Sequence, residues 1–383
     1  MTKSMLMDHF EDLVTDRSIR LADIEAHLAT LRGNERFRNR YWVNATSGST
    51  GKRGFFLFNP REWASVIACF GRSNLWAGFE RGMFYRKRIA TVASSVPWHM
   101  SYRLLESLEN PWVPLLRLDA GEPVASLVKA LDKWKPLILA GYPSSLRILA
   151  KEQLAGRLHI HPERLYTGGE VLSREMRHLA FEAWGVRIFD QYGTTEAGNL
   201  ASECEHHRGL HINEDLVIVE PVDEAYRPVP PGHYGEKLLI TVLFNYTQPL
   251  IRYELSDRVR LASSPCSCSM PYALIDGIEG RTEEVLEFPA RSGGTVSIHP
   301  LVFDQILDTV PAEQWQVVQE RNRLVVLLSG VREGFQDQTI TESLRRELET
   351  QGAVEPMIEV NRVSTIPRGL TGKALIFKRR GQP

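Results

Sequence analysis

The 383-residue sequence has little of what marks several protein classes. Its four cysteines are too few for a disulfide scaffold in a chain of this length. No apolar run approaches the roughly eighteen residues that a membrane-spanning helix needs. The formal net charge of −1 gives no general attraction to nucleic acid or anionic lipid. We therefore expect neither a nucleic-acid nor a membrane partner.

The N-terminal residues also lack the pattern of a secretory signal. They become acidic at Asp8, Glu11 and Asp12 before an apolar run of signal-peptide length can form. We therefore expect a cytoplasmic protein. The length suits one large domain with a smaller one, and an apolar content of 43% with 24% charged residues is typical of globular proteins.

Hydrophobic periodicity divides the chain into four stretches. Residues 1–40 show helical spacing and form a lead-in. Residues 41–191 alternate short apolar runs with amphipathic segments, which predicts crossover units and a largely parallel sheet. Short apolar runs between Pro- and Gly-rich turns predict a β-rich subdomain at about 205–280. The pattern from 282 onward suits a small α+β unit.

The sequence therefore predicts an α/β fold. A large N-terminal domain (1–281), with mixed or parallel sheets, precedes a small mobile C-terminal α+β domain (282–383). Predicted strands are 89–93, 137–140, 186–189, 216–219, 237–242, 258–261, 314–319 and 323–329, and predicted helices are 124–134, 174–184, 301–309 and 337–350.

The strongest local motif is a loop rich in hydroxyl groups and glycine that ends in a lysine. Its glycines allow backbone N–H groups to approach phosphates closely, while hydroxyls and the lysine add donors and charge. It is not the P-loop pattern, because Lys52 is followed by Arg53. The alternative interpretation is a flexible Ser/Gly turn. The loop consists of Thr46, Ser47, Gly48, Ser49, Thr50, Gly51 and Lys52.

A second motif, Asp190-Gln191-Tyr192-Gly193-Thr194-Thr195-Glu196, follows the apolar run at 186–189. It should lie at the end of a strand, where α/β sheets place their ligands. Mg²⁺ is held by one or two carboxylates together with nucleotide oxygens, which makes Glu196 the candidate magnesium ligand. The alternative is a solvated loop glutamate.

These two motifs resemble core motifs of the acyl-adenylate-forming superfamily, and within it the phenylacetate-CoA ligase-like branch. Other matches follow in family order and extend the resemblance over most of the chain. They are Gly141-Tyr142-Pro143-Ser144, Gly168-Gly169-Glu170, the stretch 209–215, Ile251-Arg252-Tyr253-Glu254-Leu255-Ser256-Asp257, Gly280-Arg281-Thr282-Glu283-Glu284 and Gly369-Leu370-Thr371-Gly372-Lys373.

The resemblance implies a role for each matching residue. The loop 46–52 would hold the β- and γ-phosphates, and Thr195 and Glu196 would serve the α-phosphate and Mg²⁺. Asp257 would bind the ribose hydroxyls with Arg281 nearby, and Lys373 would bridge the substrate carboxylate and the α-phosphate. The remaining motif residues would frame the adenine and part of the acyl pocket: Gly168, Gly169, Glu170, Asp190, Gln191, Tyr192, Gly193 and Thr194.

The implied activity is ATP-dependent activation of a carboxylic acid to acyl-AMP with release of pyrophosphate, followed by transfer to a thiol such as CoA. Trp98, His99, Arg103 and Tyr142 occupy the positions of the acid pocket and favour an aryl or heteroaryl acid of secondary metabolism, although they could equally be core residues. A carrier-protein thiol or an amine remains possible as acceptor, and the protein could form a homodimer. The rival readings are a non-catalytic nucleotide-binding or acyl-AMP-binding relative and a nucleotidyl transferase.

Three of the cysteines belong to a second candidate site. Cys204, Cys266 and Cys268 share one stretch with several histidines, and three thiolates with one imidazole form the ligand set of a closed structural zinc site. His211 is the expected fourth ligand, because it matches the Gly-Leu-His of the branch, and His207 is the alternative. Three reduced cysteines without a metal remain the other interpretation.

Overall fold

The computed structural model describes most of the chain, and the account below is confined to those residues. Among them, no helix combines the length and apolar character needed to cross a bilayer. The described residues are 1–46, 53–78, 87–120, 122, 124–268, 270–281, 286–298, 303, 306–307, 309–312, 314–320, 323–332, 334–366 and 377–379.

The predicted helical lead-in consists of α1 (Lys3–Asp8), α2 (Phe10–Leu13) and α3 (Leu21–Thr30). It is followed by an antiparallel pair of strands, β1 (Trp42–Ala45) and β2 (Phe55–Phe58), which flank the hydroxyl-rich loop. All four side chains of β2 are buried. A two-stranded ribbon is marginal by itself, so burial in the surrounding core stabilises this hairpin.

Strands and helices then alternate as the periodicity predicts. The elements are α4 (Pro60–Trp76), β3 (Ile89–Ala93), α5 (Met100–Leu108), β4 (Leu115–Asp119), α6 (Val124–Trp134), β5 (Ile138–Gly141), α7 (Pro143–Leu154), β6 (Arg164–Gly168), α8 (Arg174–Trp184) and β7 (Ile188–Thr194).

Helix α8 illustrates how local sequence fixes these boundaries. Its N-cap Ser173 accepts a hydrogen bond from the Met176 N–H, and its C-cap Gly185 adopts φ +69°. A hydroxyl at the N-cap and a glycine in the left-handed region are the usual helix start and stop signals. Met176 and Ala180, four residues apart, point into the core. The helix predicted at 174–184 is therefore confirmed.

The central sheet has nine strands. Its remaining members are β8 (Gly198–Glu203), β9 (Leu210–Ile212), β13 (Asp257–Leu261) and β14 (Leu274–Arg281), and a separate three-stranded sheet contains β10 (Val217–Val222), β11 (Lys237–Val242) and β12 (Tyr253–Leu255). The order in the large sheet is β13-β14-β9-β8-β7-β6-β5-β3-β4, and β7 to β4 in this order pair parallel. The predicted α/β class with mixed sheets is confirmed.

The parallel part of the sheet contains a switch in direction. Strand β3 lies between β4 and β5, so the chain first adds β4 on one side of β3 and then crosses back to add β5 on the other. Connections leaving β3 and β5 therefore diverge and leave a crevice beyond their carboxyl ends. Open α/β sheets bind their ligands in such a crevice.

Not all strands of the predicted β-rich subdomain form a separate sheet. Strands β10, β11 and β12 do, whereas β9, β13 and β14 extend the antiparallel end of the central sheet. Alternating burial in the sequence identifies a strand but carries no information about its partner. The position of these strands was therefore not predictable from the pattern alone.

The last part of the chain has its own hydrophobic core, built from residues 286 onward. Its elements are β15 (Leu286–Pro289), β16 (Thr295–Ile298), β17 (Gln314–Glu320), β18 (Arg323–Ser329), α9 (Asp337–Thr350), β19 (Met357–Arg362) and β20 (Phe377–Arg379), with sheet order β19-β18-β17-β20. Most of the predicted helix 301–309 lies outside the described residues, as do 282–285. The domain boundary after Arg281 remains a prediction.

Candidate active site

Hydrogen bonds join the segments that follow β3 and β5 at the crevice. The Ser94 N–H donates to the Tyr142 hydroxyl at 3.2 Å, and Ser94 Oγ lies 2.9 Å from His99 Nδ1. Tyr142 itself is buried, and burial raises the pKa of its hydroxyl. Ser94, His99 and Tyr142 therefore form a hydrogen-bonded lining at the switch point.

Two glycines allow the backbones of neighbouring strands to lie close together here. A Cβ on Gly141 would be 2.6 Å from the Val92 carbonyl oxygen, and one on Gly168 would be 2.9 Å from that of Gln191. Neither distance is tolerable for a side chain, so both positions require glycine. Gly168 is also one of the residues predicted to frame the adenine. Its close approach to the Gln191 backbone is by itself a reason for glycine at this position.

Thr46 closes the stem of the predicted phosphate loop. Its N–H donates to the Gly54 carbonyl at 3.0 Å, and the Gly54 N–H donates to Thr46 Oγ1 at 2.9 Å. The neighbouring Ala45 N–H donates to the Trp98 carbonyl, which holds the stem beside the segment after β3. The other predicted loop residues, Ser47, Gly48, Ser49, Thr50, Gly51 and Lys52, lie outside the described residues.

The motif 190–196 forms the end of β7 and the turn into β8. The Thr194 hydroxyl accepts the Ala197 N–H at 3.2 Å, and Gly198 closes the turn with φ +76°. Glu196 lies in this turn and is only 6% exposed, which differs from a solvated loop glutamate. Thr195 is half-buried beside it.

A side-chain hydrogen bond joins two motifs that are distant in sequence. The Tyr192 hydroxyl donates to Asp257 Oδ2 at 2.7 Å. Asp257 begins β13, which three strands separate from β7 in the sheet order, so this bond and not strand pairing connects them. Arg281, predicted near Asp257, is its backbone partner across the β13–β14 pair. The predicted ribose-binding carboxylate therefore adjoins the predicted adenine-binding motif.

Glu170 has a different environment from the other motif residues. Its carboxylate accepts the Ser144 N–H and the Ser144 hydroxyl, both at 3.0 Å. Ser144 lies in the first turn of α7, where a carboxylate is stabilised by free N–H groups and the helix dipole. Glu170 thus fixes the Gly168-Gly169-Glu170 segment to α7, and its contact with adenine remains a prediction. Lys373 lies outside the described residues.

The four candidate pocket residues do not all lie at the crevice. His99 and Tyr142 line it, and the Trp98 ring packs beneath the Arg53 guanidinium with 5.3 Å from Arg53 Cζ to the ring centroid. Arg103 instead is fully buried and donates to the Glu35 carbonyl of the N-terminal segment at 3.1 Å. Burial lowers the pKa of Arg103 to about 10. Its environment fits the core interpretation.

A buried charge network next to the motif was missed by sequence reasoning. Glu203 accepts two hydrogen bonds from Arg177, at 2.7 and 3.1 Å, and one from the Asp190 N–H at 2.9 Å. His207 Nδ1 lies 3.2 Å from the same carboxylate. The sequence contained one signal for this network: the acidic Glu203 ends a strand whose other residues are also buried. A buried charge requires a partner, so a second charged group was to be expected nearby.

The network affects the protonation of Asp190. Burial and the negative charge of Glu203 raise the pKa of Asp190 to about 7, against the stabilising effects of Arg177 and a 3.2 Å hydrogen bond from the Thr167 hydroxyl. Hydrogen bonds and charge from His207 and Arg177 overcome burial at Glu203 and lower its pKa. The proton of this carboxyl pair therefore resides on Asp190.

This proton gives a testable pH dependence. Between the ordinary pKa near 3.8 and about 7, folded Asp190 keeps a proton that the unfolded chain has lost. The unfolding free energy should therefore fall across that window, by at most about 4 kcal/mol since one pKa unit corresponds to about 1.4 kcal/mol. Asp190→Asn should lose this component. Urea unfolding of both proteins from pH 4 to 8 checks it, and parallel pH profiles would contradict the protonated state.

The cysteine cluster comes together at the far side of β8. One ligand atom from each of Cys204, His211, Cys266 and Cys268 lies within 4.8 Å of the others. Cys204 Sγ and Cys266 Sγ are 3.8 Å apart, and Cys268 Sγ is 3.3 Å from His211 Nε2. Tetrahedral bonds of the lengths usual for zinc separate two sulfurs by about 3.8 Å and sulfur from nitrogen by about 3.5 Å. The donor set therefore fits a zinc ion.

The structure also distinguishes the two candidate histidines. His211 Nδ1 lies 3.4 Å from the Tyr272 carbonyl, an outer-shell contact that directs Nε2 toward the cysteines. His207 instead contacts Glu203 and packs its ring against Phe189, with 4.4 Å between the centroids. His211 is thus the member of the cluster, and His207 belongs to the charge network.

Comparison with solved structures places this geometry in a known fold. Over 99% of the chain, the coordinates superpose with a TM-score of 0.75 on 79% of a 2-hydroxyisobutyryl-CoA ligase in the postadenylation state, in complex with R3-HIB-AMP, at 20% sequence identity. The chain has the fold of the acyl-adenylate-forming ligases. An anthranilate CoA ligase, AuaEII, in complex with anthranoyl-AMP is similar over 87% of this chain and 65% of its own, with a TM-score of 0.58 and 16% identity.

Sequence comparison gives a curated relative. Protein CapK of Staphylococcus aureus is 24% identical over 268 residues, which are 68% of this chain. The matched part spans 57% of the length of that relative. No protein-family profile matches the chain. The resemblance to the acyl-adenylate-forming superfamily that the motifs predict is confirmed at the level of the fold, and the phenylacetate-CoA ligase-like branch remains a prediction.

Proposed function

We propose that this protein activates a carboxylic acid with ATP, forming acyl-AMP and releasing pyrophosphate. The observation that carries the proposal is the 2.7 Å hydrogen bond between Tyr192 and Asp257. It joins Asp257, the proposed ribose ligand, to strand β7, whose carboxyl end leads into the turn with Glu196, and α/β sheets bind ligands beyond such strand ends. Two relatives of the same fold have an acyl adenylate in their crystal structures, which supports this assignment.

Formation of acyl-AMP would require positioning and charge stabilisation more than proton transfer. The substrate carboxylate attacks the α-phosphorus in line with the leaving pyrophosphate. Asp257 would orient the ribose by accepting its hydroxyls, and Thr195 would contact the α-phosphate. Mg²⁺ would neutralise charge on the phosphates, with Glu196 as its proposed ligand. Lys373 would approach the α-phosphate as the small domain closes.

The acid pocket would occupy the crevice between the segments after β3 and β5. His99 and Tyr142 line it through their hydrogen bonds to Ser94, and Trp98 adds an aromatic face, which favours an aryl or heteroaryl acid. We propose CoA as the acceptor, since the ligases of similar fold are named for it. A carrier thiol or an amine is the alternative acceptor.

We further propose that the protein is cytoplasmic, that it acts in secondary metabolism and that it forms a homodimer. Each of these points requires its own experiment.

Pyrophosphate exchange into ATP tests the proposal directly. Purified protein with Mg²⁺, labelled pyrophosphate and a panel of aryl, fatty and amino acids should exchange label only when a suitable acid is present. Exchange without any acid would indicate a nucleotidyl transferase. ATP binding without exchange across the panel would favour a non-catalytic nucleotide-binding protein. Addition of CoA to an active pair should then yield a thioester.

We also propose that Cys204, His211, Cys266 and Cys268 hold a structural zinc ion. Their four ligand atoms would complete a tetrahedral shell, as in closed structural sites. Burial raises the pKa of the Cys204 thiol to about 12, so a cation would be needed to keep it as a thiolate. Zinc there would link β8, β9 and the segment before β14, stabilising the antiparallel end of the sheet.

A further inference from the structure

The last residue of strand β8 and the residue directly after the strand belong to different sites. Cys204 contributes to the cysteine cluster, and Glu203, directly before it, reaches the strand that carries the nucleotide motif. Glu203 and Cys204 are adjacent in the chain, so one short segment serves both sites. A change in the position of Cys204 therefore also changes the position of Glu203.

The Glu203 carboxylate takes the place of a backbone partner at the point where the pairing of β7 with β8 ends. The last paired residues are Gln191 and Ser202, and the next N–H along β7, that of Asp190, donates to the Glu203 carboxylate. Arg177 of α8 holds the same carboxylate with two hydrogen bonds. Glu203 therefore fixes the backbone at the first residue of the motif that leads to Tyr192 and Glu196.

The turn after Cys204 is packed against the same network. The His207 N–H donates to the Cys204 carbonyl at 3.0 Å, closing the turn, and the ring then contacts both Glu203 and Phe189 of β7. His207 adopts φ +50°, a backbone conformation that costs energy for a residue other than glycine. The turn holds this conformation through its contacts on either side.

We propose that Glu203 and His207 are positioning residues that couple the order of the cysteine cluster to nucleotide binding. A metal-loaded cluster holds the turn, the turn holds His207 against Glu203, and Glu203 holds the backbone at Asp190. Loading of the cluster should consequently tighten ATP binding without any contact between the metal and ATP. The inference rests on the proposed function for the identity of the nucleotide site.

The chain offers a matched control for the loss of a buried ion pair. Glu152 is also buried and accepts two hydrogen bonds, at 2.7 and 2.8 Å, from Arg157. It lies near the end of α7, and its side-chain hydrogen bonds run to Arg157 rather than to β7 or the cysteine cluster. Glu152→Gln should therefore weaken a buried Glu–Arg pair without the effect of Glu203→Gln on the nucleotide.

The experiment measures the dissociation constant for ATP by calorimetry, with zinc-loaded and chelator-stripped protein in parallel. In the wild type, stripping should weaken ATP binding about tenfold. Glu203→Gln should weaken it by a similar factor when loaded, and stripping should then add little, because both changes break the same connection. Glu152→Gln should behave as the wild type does. Equal tenfold losses on stripping in the wild type and in Glu203→Gln would overturn the coupling.

His207 supplies a second test that leaves the Arg177–Glu203 pair intact. His207→Ala should make ATP affinity independent of metal loading, whereas His207→Gln, whose amide can still donate to Glu203, should restore part of the dependence. A purely structural role would lower the thermal midpoint of both variants without separating them in this way. Wild-type protein that binds no ATP would instead refute the proposed function, and acid-dependent exchange with no effect of stripping would refute only the coupling.

Discussion

Replacing Lys373 with alanine is expected to slow adenylate formation about 10²–10³-fold, as loss of one transition-state donor typically does. Negative charge accumulates on the α-phosphate oxygens while the carboxylate attacks and pyrophosphate leaves. An ammonium that meets both the carboxylate and this phosphate stabilises the transition state more than the bound ground state. The dissociation constant for ATP should therefore change by only about two- to threefold, because the substitution leaves the proposed nucleotide-binding residues, Asp257 and the loop 46–52, unchanged.

The measurement is single-turnover formation of acyl-AMP with the best acid of the exchange panel, together with calorimetric ATP binding. Lys373→Arg should recover little, because a planar guanidinium does not replace a compact ammonium between two oxygens. Lys129→Ala, at an exposed lysine of α6, controls for the loss of a positive charge. Unchanged acyl-AMP formation in Lys373→Ala would remove this residue from the proposed mechanism.

Loss of a zinc ligand is expected to have the largest effect on stability. Cys268→Ser or Cys266→Ser should lower the zinc content from about one ion per chain to a small fraction. Metal that binds only the folded chain stabilises it by about 4 kcal/mol when free metal is a thousand times the dissociation constant. The unfolding free energy of these variants in zinc-containing buffer should fall by roughly that amount.

Elemental analysis and urea unfolding check this prediction, with Cys69→Ala as the matched control. Cys69 is likewise buried, but it lies in α4 and is not a member of the cluster. It should keep full zinc content and lose only the small cost of a shortened core side chain. Wild-type protein purified without chelator that contains far less than one zinc per chain would refute the site.

The elements that the sequence predicted best are those whose signals are local. Helices 124–134, 174–184 and 337–350 have the predicted bounds, as do the strands 89–93, 237–242 and 323–329. Amphipathic spacing, an N-cap serine or a glycine stop lie within a few residues of the helix that they determine. Strand partners lack such signals, so the β-rich character of about 205–280 could be predicted, whereas the addition of β9, β13 and β14 to the central sheet could not.

For the candidate sites, too, the sequence indicated residues and the tertiary structure determined their partners. The motif order suggested which residues take part, the cysteine spacing suggested a metal, and the match to Gly-Leu-His favoured His211 as the fourth ligand over His207. The contact itself depends on the pairing of β9 with β8 and β14, which turns His211 toward the cysteines. Glu203 was missed because its partners, Arg177 and Asp190, are 26 and 13 residues away and adjoin it only after the sheet forms.

The sequence by itself determined the α/β class, the bounds of helices α6, α8 and α9 and the identities of the motif residues, because these depend on periodicity, capping and residue type over short stretches. Only the tertiary structure decided that Tyr192 meets Asp257, that Glu170 binds Ser144 and that Cys204 joins Cys266. Each of these contacts joins residues 26 to 65 positions apart. Chain connectivity does not bring residues so far apart in sequence into contact. The packing of strands and helices around the crevice does so.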